Sequence, residues 1–391
     1  MKDRYILSDF AEPIAVAIQD AKESHLDRFV GLEHYDSGEP VISRYSDTSL
    51  LGSSVKEFHK NDILIARRNV YLKRAGICFF DGLTSGDSIV LRIYNDCERR
   101  TGVPFDLAVK IIPFVVNSNS FWAYANKHAD GMNSKRISKE KVLSYEFSLP
   151  SLMELKVLAD KLWAAYEVKQ SYLNMIDATN QMVKAKFAQI LSANQIIVPL
   201  SEYVWLQEGP GVRKYQFCDS GIKLLNGKNI NDGKIDLSTT DKYISESEAF
   251  GKYKHFLVDD GDILIASSGI QPESFSSKVG VIKQNQLPLC MNTSTIRFKV
   301  KDKELLDKDY FIYYLKSNWF IEQLTLSLTG SVQLNFGPTH LQKMILHLPE
   351  TIEQQKKFSL FAKNAESSIA HLNDSIVAID KVIRSLINEN L

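Results

Sequence analysis

Residues 61–75 read NDILIARRNVYLKRA, and residues 260–266 read DGDILIA. An Asp-Ile-Leu-Ile run after a turn predicts a buried strand, here over 62–66 and 262–266. The two runs stand 200 residues apart, and they are the first members of a series. Asn119 and Phe121 match Asn318 and Phe320, and Gly131 matches Gly330, at an offset of 199. The same offset pairs Leu149-Pro150 with Leu348-Pro349 and Glu154 with Glu353. With a few residues inserted in the second copy, Gly76 falls against Gly280 and Arg92 against Arg297. One match of this kind is chance. An ordered series at nearly constant offset is a tandem duplication. Its period is far too long for a solenoid and fits a domain plus a helix.

Each copy begins with short apolar runs broken by Gly, Asn, Asp and Ser, among them Ser88 to Ile93 and Thr295 to Val300, which read as strands. Leu-Pro then introduces a long stretch free of Pro and Gly. In residues 151–193 a seven-residue spacing selects Leu155, Leu162, Lys169, Ile176, Val183 and Ile190, with Ala159, Tyr166, Leu173, Asn180 and Phe187 four residues on. In 351–390 the same count selects Phe358, Ala365, Leu372, Ile379 and Leu386, with Ala362, Ile369, Ile376 and Ile383 as companions. Alternating four-three seams predict coiled-coil helices, each about 60 Å long. Two such stripes are expected to cover one another, since a small domain is too short to cover either. The expected organisation is a mixed α+β chain: one domain over 1–150, a helix over 151–193, a second domain over 194–350 and a second helix over 351–391.

The 391 residues carry 47 basic and 47 acidic side chains, a net charge of +0, so any affinity for nucleic acid rests on local positive potential. Hydrophobic residues make up 44%, enough for more than one core. Cys78, Cys97, Cys218 and Cys290 are too scattered for a zinc site or a disulfide framework. The N-terminus has no signal-peptide core, and Ile111 to Val116 is too short to span a bilayer, so a cytoplasmic chain away from membranes is expected. Catalytic signatures are missing too. Gly221 to Gly227-Lys228 approaches a phosphate loop, but with five residues between the glycines and Asn229 where Ser or Thr belongs. HExxH, GxSxG and the Asn-Pro-Pro-aromatic motif of amino-methyltransferases do not occur. A non-catalytic binding protein is the expectation.

The first strand is followed by Arg67, Arg68, Asn69, Tyr71, Lys73 and Arg74, four cations and an aromatic within eight residues. Arg and Lys neutralise phosphates, Arg also pairs with guanine, and Asn pairs with adenine. A plain solvated loop would have the same composition. At the matching place the second copy has Ser267, Ser268 and Gln271, then Lys278, with Lys228 and Asn229 upstream. A repeated frame with divergent loops is expected when each copy reads something different. Glu33, His34 and Tyr35 stand in the first copy roughly where Lys223, Asn226, Lys228 and Asn229 stand in the second.

In order, GLEH (31–34), NDILIARRNVYLKRA (61–75), FDGLTSGDSIVL (80–91), FWAYAN (121–126), GVRKYQF (211–217), GIKLLNGKNI (221–230), DGDILIA (260–266) and LPETIEQQKK (348–357) resemble the specificity subunits of type I restriction–modification systems. The resemblance covers nearly the whole chain. It implies two target-recognition domains, each reading one half of a split double-stranded DNA site. It also implies two antiparallel coiled-coil helices, carried here by Leu155, Leu162, Ile176, Val183, Phe358, Leu372, Ile379 and Leu386, that set the spacer and dock two methyltransferase subunits, the recognition domains being 1–150 and 194–350. S-adenosylmethionine would sit on those partners and no cofactor on this chain; ATP-dependent motor-nuclease subunits would join where cleavage occurs. Two departures stand out: little N-terminal helix precedes the first domain, and Lys169 and Asn180 interrupt the first seam. The rival reading is a coiled-coil scaffold with two protein-binding domains and no DNA contact.

Overall fold

The computed structural model describes residues 3–18, 24–48, 55–132, 134–193, 195–328 and 333–391. Gly330, the proposed match of Gly131, lies outside them. Two compact units result: 1–175 with 371–391, and 176–370.

Ile63–Ala66 is a strand with all four residues buried. It lies between Ser88–Ile93 and Ala75–Ile77 in an antiparallel sheet whose far edge is Ala11–Ile14. A strand enclosed on both faces needs no polar alternation, which is why its sequence is a continuous apolar run. The second unit repeats the order with Val204–Glu208, Thr295–Val300, Ile263–Ala266 and Val279–Val281. A two-stranded ribbon accompanies each sheet, Asp3–Ile6 with Glu146–Leu149 and Gln195–Pro199 with Ile345–Pro349. Each copy also has a helix that opens on a serine cap. Ser118 Oγ accepts from the Phe121 amide at 3.1 Å and Ser317 Oγ from the Phe320 amide at 3.4 Å, which accounts for the repeated Asn-x-Phe. The copies part in a second sheet, five-stranded in the first unit and three-stranded in the second.

Strand register tests the matched residues directly. Leu64 faces Gly76 and Leu264 faces Gly280, so the two glycines are equivalent. The arginines are not. Leu64 also faces Val90, whereas Leu264 faces Arg297, which puts Arg297 at the Val90 station and makes Lys299 the counterpart of Arg92. The expected pairing of Arg92 with Arg297 is therefore two residues out. It looked right because alternate strand residues share a face, so all three cations reach the same Asp. Arg92 meets Asp62 at 2.7 Å, and Asp262 is met by Arg297 at 3.0 Å and Lys299 at 3.4 Å.

The long helices are Leu152–Ala193 and Ile352–Asn390, and each is divided between the units. In the first unit Lys169 meets Asp380; in the second the rings of Phe187 and Phe358 lie 5.0 Å apart. Leu155, Leu162, Phe358 and Ala365 are buried, and Ile176, Val183, Leu372, Ile379 and Leu386 half-buried, along the expected seam. Beyond Lys169 the companion row of the first helix shifts. Leu173 and Asn180 are exposed, and Tyr172 and Thr179, one residue earlier, are half-buried in their stead. A step of three in place of four carries the stripe to the other side of the same helix face. The stripes also do more than cover each other. Leu155, Leu158, Leu162, Ile383 and Ile387 enter the first unit's core, and Phe187, Leu191, Phe358 and Ala362 the second's. A row of large apolar residues at a helix end can close a domain core as readily as a coiled-coil seam.

Lys169, the cation in the seam, has two partners. Its ammonium donates to Asp380 Oδ1 at 2.7 Å and to Glu39, on a loop of the first domain. Burial by itself depresses the lysine, but the two carboxylates outweigh it and hold the group above its ordinary range. Lys169→Met should cost about 1–2 kcal/mol, read as the urea midpoint of the first unit. Both acids are partly exposed and can regain water once the cation is gone.

Candidate nucleic-acid interface

In the first copy the backbone leaves its sheet beyond Ala66 in a single tight turn. Asn69 and Lys73 adopt left-handed backbone, φ 56° and 50°, on either side of the short turn Val70–Leu72. Val70 is buried and anchors the loop, while Tyr71 stands 63% exposed at its tip. Arg68 and Lys73 are exposed with it, and Arg67 and Arg74 are half-buried. Arg74 acts as a clamp: Nη1 donates to the Leu32 carbonyl at 2.9 Å and Nη2 to the Arg68 carbonyl at 3.2 Å. The turn Leu32–His34 is thereby joined to the basic loop. Asn69 Oδ1 accepts from Ser134 Oγ at 3.1 Å, which leaves its amide nitrogen as the free end.

The second loop bends at Gly269, φ 70°, a conformation that a side chain would strain. Asn335 Oδ1 accepts from the Gly269 amide and from Ser268 Oγ, both at 2.9 Å. Ser268 and Gln271 are exposed, as is Lys228, whose ammonium lies 3.6 Å from Asp241. The turn that carries Lys228 lies close against the strand end, since a Cβ on Gly227 would come within 3.2 Å of Ala266 Cβ. Lys278 is half-buried and donates to Asn231.

Two expected contacts are corrected. Ser267 is only 2% exposed, because the backbone just past the strand is hydrogen-bonded on both sides: its amide donates to the Ser294 carbonyl at 3.0 Å and its carbonyl accepts from the Phe336 amide at 3.0 Å. Asn229 is 1% exposed, with Nδ2 donating to the Asp236 carbonyl and Thr240 Oγ1 and Oδ1 accepting from the Asn226 amide. Its place in the first copy is held by His34, whose Nδ1 accepts from the Gly31 amide at 2.9 Å. Both side chains brace a turn. Neither faces outward.

Sequence reasoning missed a second segment that backs each loop. The Ile137 amide donates to the Arg67 carbonyl at 2.9 Å and the Asn69 amide to the Lys135 carbonyl at 2.8 Å. In the second unit the Phe336 amide meets the Ser267 carbonyl, and Ile270 pairs with Leu334. Lys135 and Arg136 are exposed on this strap, beside a nearly fully exposed Met132. The signal was there to find, because Ile137 and Phe336 keep the 199-residue offset. Asp87 partly offsets the charge, 3.8 Å from Arg68 and 3.4 Å from Arg136.

The chemistry of both sites is hydrogen bonding and charge neutralisation. Among the described residues no group of His, Cys, Asp and Glu is arranged to hold a metal ion, and no helix is long and apolar enough to cross a membrane.

Residues 214–376 match the family model of the type I restriction modification DNA specificity domain. The type I restriction enzyme MjaVIII specificity subunit of Methanocaldococcus jannaschii is 28% identical over 193 residues, 49% of this chain. The match spans 44% of that relative's length, less than half. Two solved structures share the fold along the whole chain. One, from work on complex assembly and conformational transition of the type I R-M system, has TM-score 0.57 at 14% identity and is covered to 98%. The other, a type I restriction-modification S subunit from M. genitalium, has TM-score 0.55 at 11% identity and is covered to 96%. Residues 214–376 are thus similar to a type I restriction modification DNA specificity domain, and the chain as a whole shares its fold with these two structures.

Proposed function

We propose that the chain is the DNA sequence-specificity subunit of a type I restriction–modification complex, each domain reading one half of a bipartite, asymmetric site. One observation carries this reading: the same strand, turn and strap occur twice, and the outward residues differ. Arg68, Tyr71, Lys73, Lys135 and Arg136 on the first copy suit phosphate and guanine; Ser268, Gln271 and Lys228 on the second suit base-edge hydrogen bonding. The chain performs no chemistry itself. Methyltransferase subunits docked on the long helices supply S-adenosylmethionine and the transfer, and motor-nuclease subunits supply cleavage where the system restricts. The complex works on chromosomal and invading DNA in the cytoplasm.

The test is a methylome. The neighbouring methyltransferase is expressed with and without this chain, and host DNA is sequenced for modified adenine. A split, asymmetric motif that depends on the chain is expected. A stable complex without any motif would favour the scaffold reading.

The helices, in this proposal, set the gap between half-sites, which on one face of B-DNA recur about every 34–36 Å. One heptad added to each helix adds about 10 Å, close to 3 bp of duplex. The modified motif should widen by about that much, and an unchanged gap would remove the helices from this role.

A further inference from the structure

Behind the basic loop, the first domain has a cavity of about 250 Å³ with Lys56, Arg67 and Lys139 among its lining residues. Three cations share one small opening. Lys56 is held in place by neutral acceptors, the carbonyls of Ser88 at 2.7 Å and Gly86 at 3.1 Å. Burial depresses its ammonium, and the like charges of Arg67 and Lys139 depress it further, against a weaker pull from Asp87. Arg67 Nε is shut off from solvent and has no partner. The nearby acids are turned to other tasks. Asp87 faces Arg68 and Arg136, and Glu140 is held by the backbone and by Ser138 at the start of its own helix. Glu140 also lines the cavity and feels Lys139 and Arg67, so three cations face one carboxylate there and the lining keeps an excess of positive charge. It is continuous through Arg67 with the exposed loop and through 135–139 with the strap.

We propose that this cavity is an anion pocket that seats one backbone phosphate of DNA lying across the 67–74 loop. The assignment rests on the DNA-reading function above. A phosphate has the acceptor oxygens that Lys139 and the third donor of Lys56 lack, and its charge offsets that of Arg67. It also gives the two domains different tasks. The second copy has Ser267 where the first has Arg67, and Gly337-Pro338 where the first has Ser138-Lys139, so it cannot build the pocket. The first domain then holds the duplex largely by its backbone, and the second contributes more of the reading.

Lys139 is exposed at the pocket's rim, so Lys139→Gln should fold normally. DNA affinity of the assembled complex would be measured across a salt series for wild type, K139Q and K60Q, the last at an exposed lysine away from the pocket. Each neutralised phosphate adds about 0.9 to the log–log salt slope. K139Q should lower the slope by about one and weaken binding roughly three- to tenfold, with K60Q unchanged. Inorganic phosphate, titrated with thermal unfolding as the readout, separates the two sources of anion. A slope in K139Q equal to that of wild type overturns the proposal. If inorganic phosphate stabilises wild type but not K139Q while the DNA slope stays fixed, the pocket serves a free anion and the DNA assignment falls. Phosphate binding lost in K139Q, in a complex with no DNA affinity at all, would keep the pocket and overturn the function.

Discussion

Asp262→Ala is expected to destabilise the second unit by about 3–5 kcal/mol, because it strands a buried guanidinium. Arg297 and Asp262 are each 4% exposed, an ion pair closed to water. Arg297 also donates to the carbonyls of Leu257 at 2.7 Å and His255 at 2.9 Å and to Gln207 Oε1 at 2.6 Å, so it cannot turn outward. Asp262 additionally caps the turn before its strand, accepting from the Asp259 amide at 2.9 Å. The first copy supplies the control. Asp62 is as buried, but Arg92 is 37% exposed and can regain solvent, so Asp62→Ala should cost about 1–2 kcal/mol. Arg297 lies 5.1 Å over the ring of Trp205, so loss of Asp262 should also change the emission of that indole, one of four in the chain. Equal losses for the two variants would show that burial of the arginine is not what sets the cost.

The second large effect is on binding. Arg68→Ala with Lys73→Asn should lower the salt slope of the assembled complex by about two and weaken DNA binding roughly 30-fold, at about 1 kcal/mol for each lost phosphate contact. Asn is chosen at position 73 because the backbone there is left-handed and Asn tolerates that conformation. Both side chains are exposed, so thermal stability should hold. The weakening should be similar on cognate and unrelated DNA if the contacts are to phosphate. Gln271→Ala should do the reverse, leaving the salt slope in place and reducing discrimination at one half-site by about 1–3 kcal/mol. A salt slope that falls with Gln271 and not with Arg68 and Lys73 would exchange the roles of the two domains.

What the chain discloses before folding follows from the range over which each residue acts. Ile63–Ala66, its copy and the helical seams are encoded locally, by apolar runs and by three-four spacing, and they are legible. The basic loop is legible as composition. Which of its cations face outward is not, because Arg74 is turned inward by the Leu32 carbonyl, 42 residues away in sequence. Ser267 and Asn229 looked available for the same reason: their burial depends on Phe336 and Thr240, which no local pattern ties to them. The straps at Ser134–Arg136 and Gln333–Asn335 are irregular backbone with no period, so only the duplication offset could have exposed them. Arg92 and Arg297 show the limit of that offset, since an insertion between strands moves the register by two without changing which Asp is served.

The division of the helices bears on the order in which the protein can assemble. The second unit is one uninterrupted segment, 176–370, whereas the first needs 371–391 as well. As the chain emerges from a ribosome, everything the second unit requires is available before the first can be completed. Until residues 371–391 appear, Leu155, Leu158 and Leu162 lack the cover of Ile383 and Ile387. The unit that begins first along the chain is thus the later to be completed.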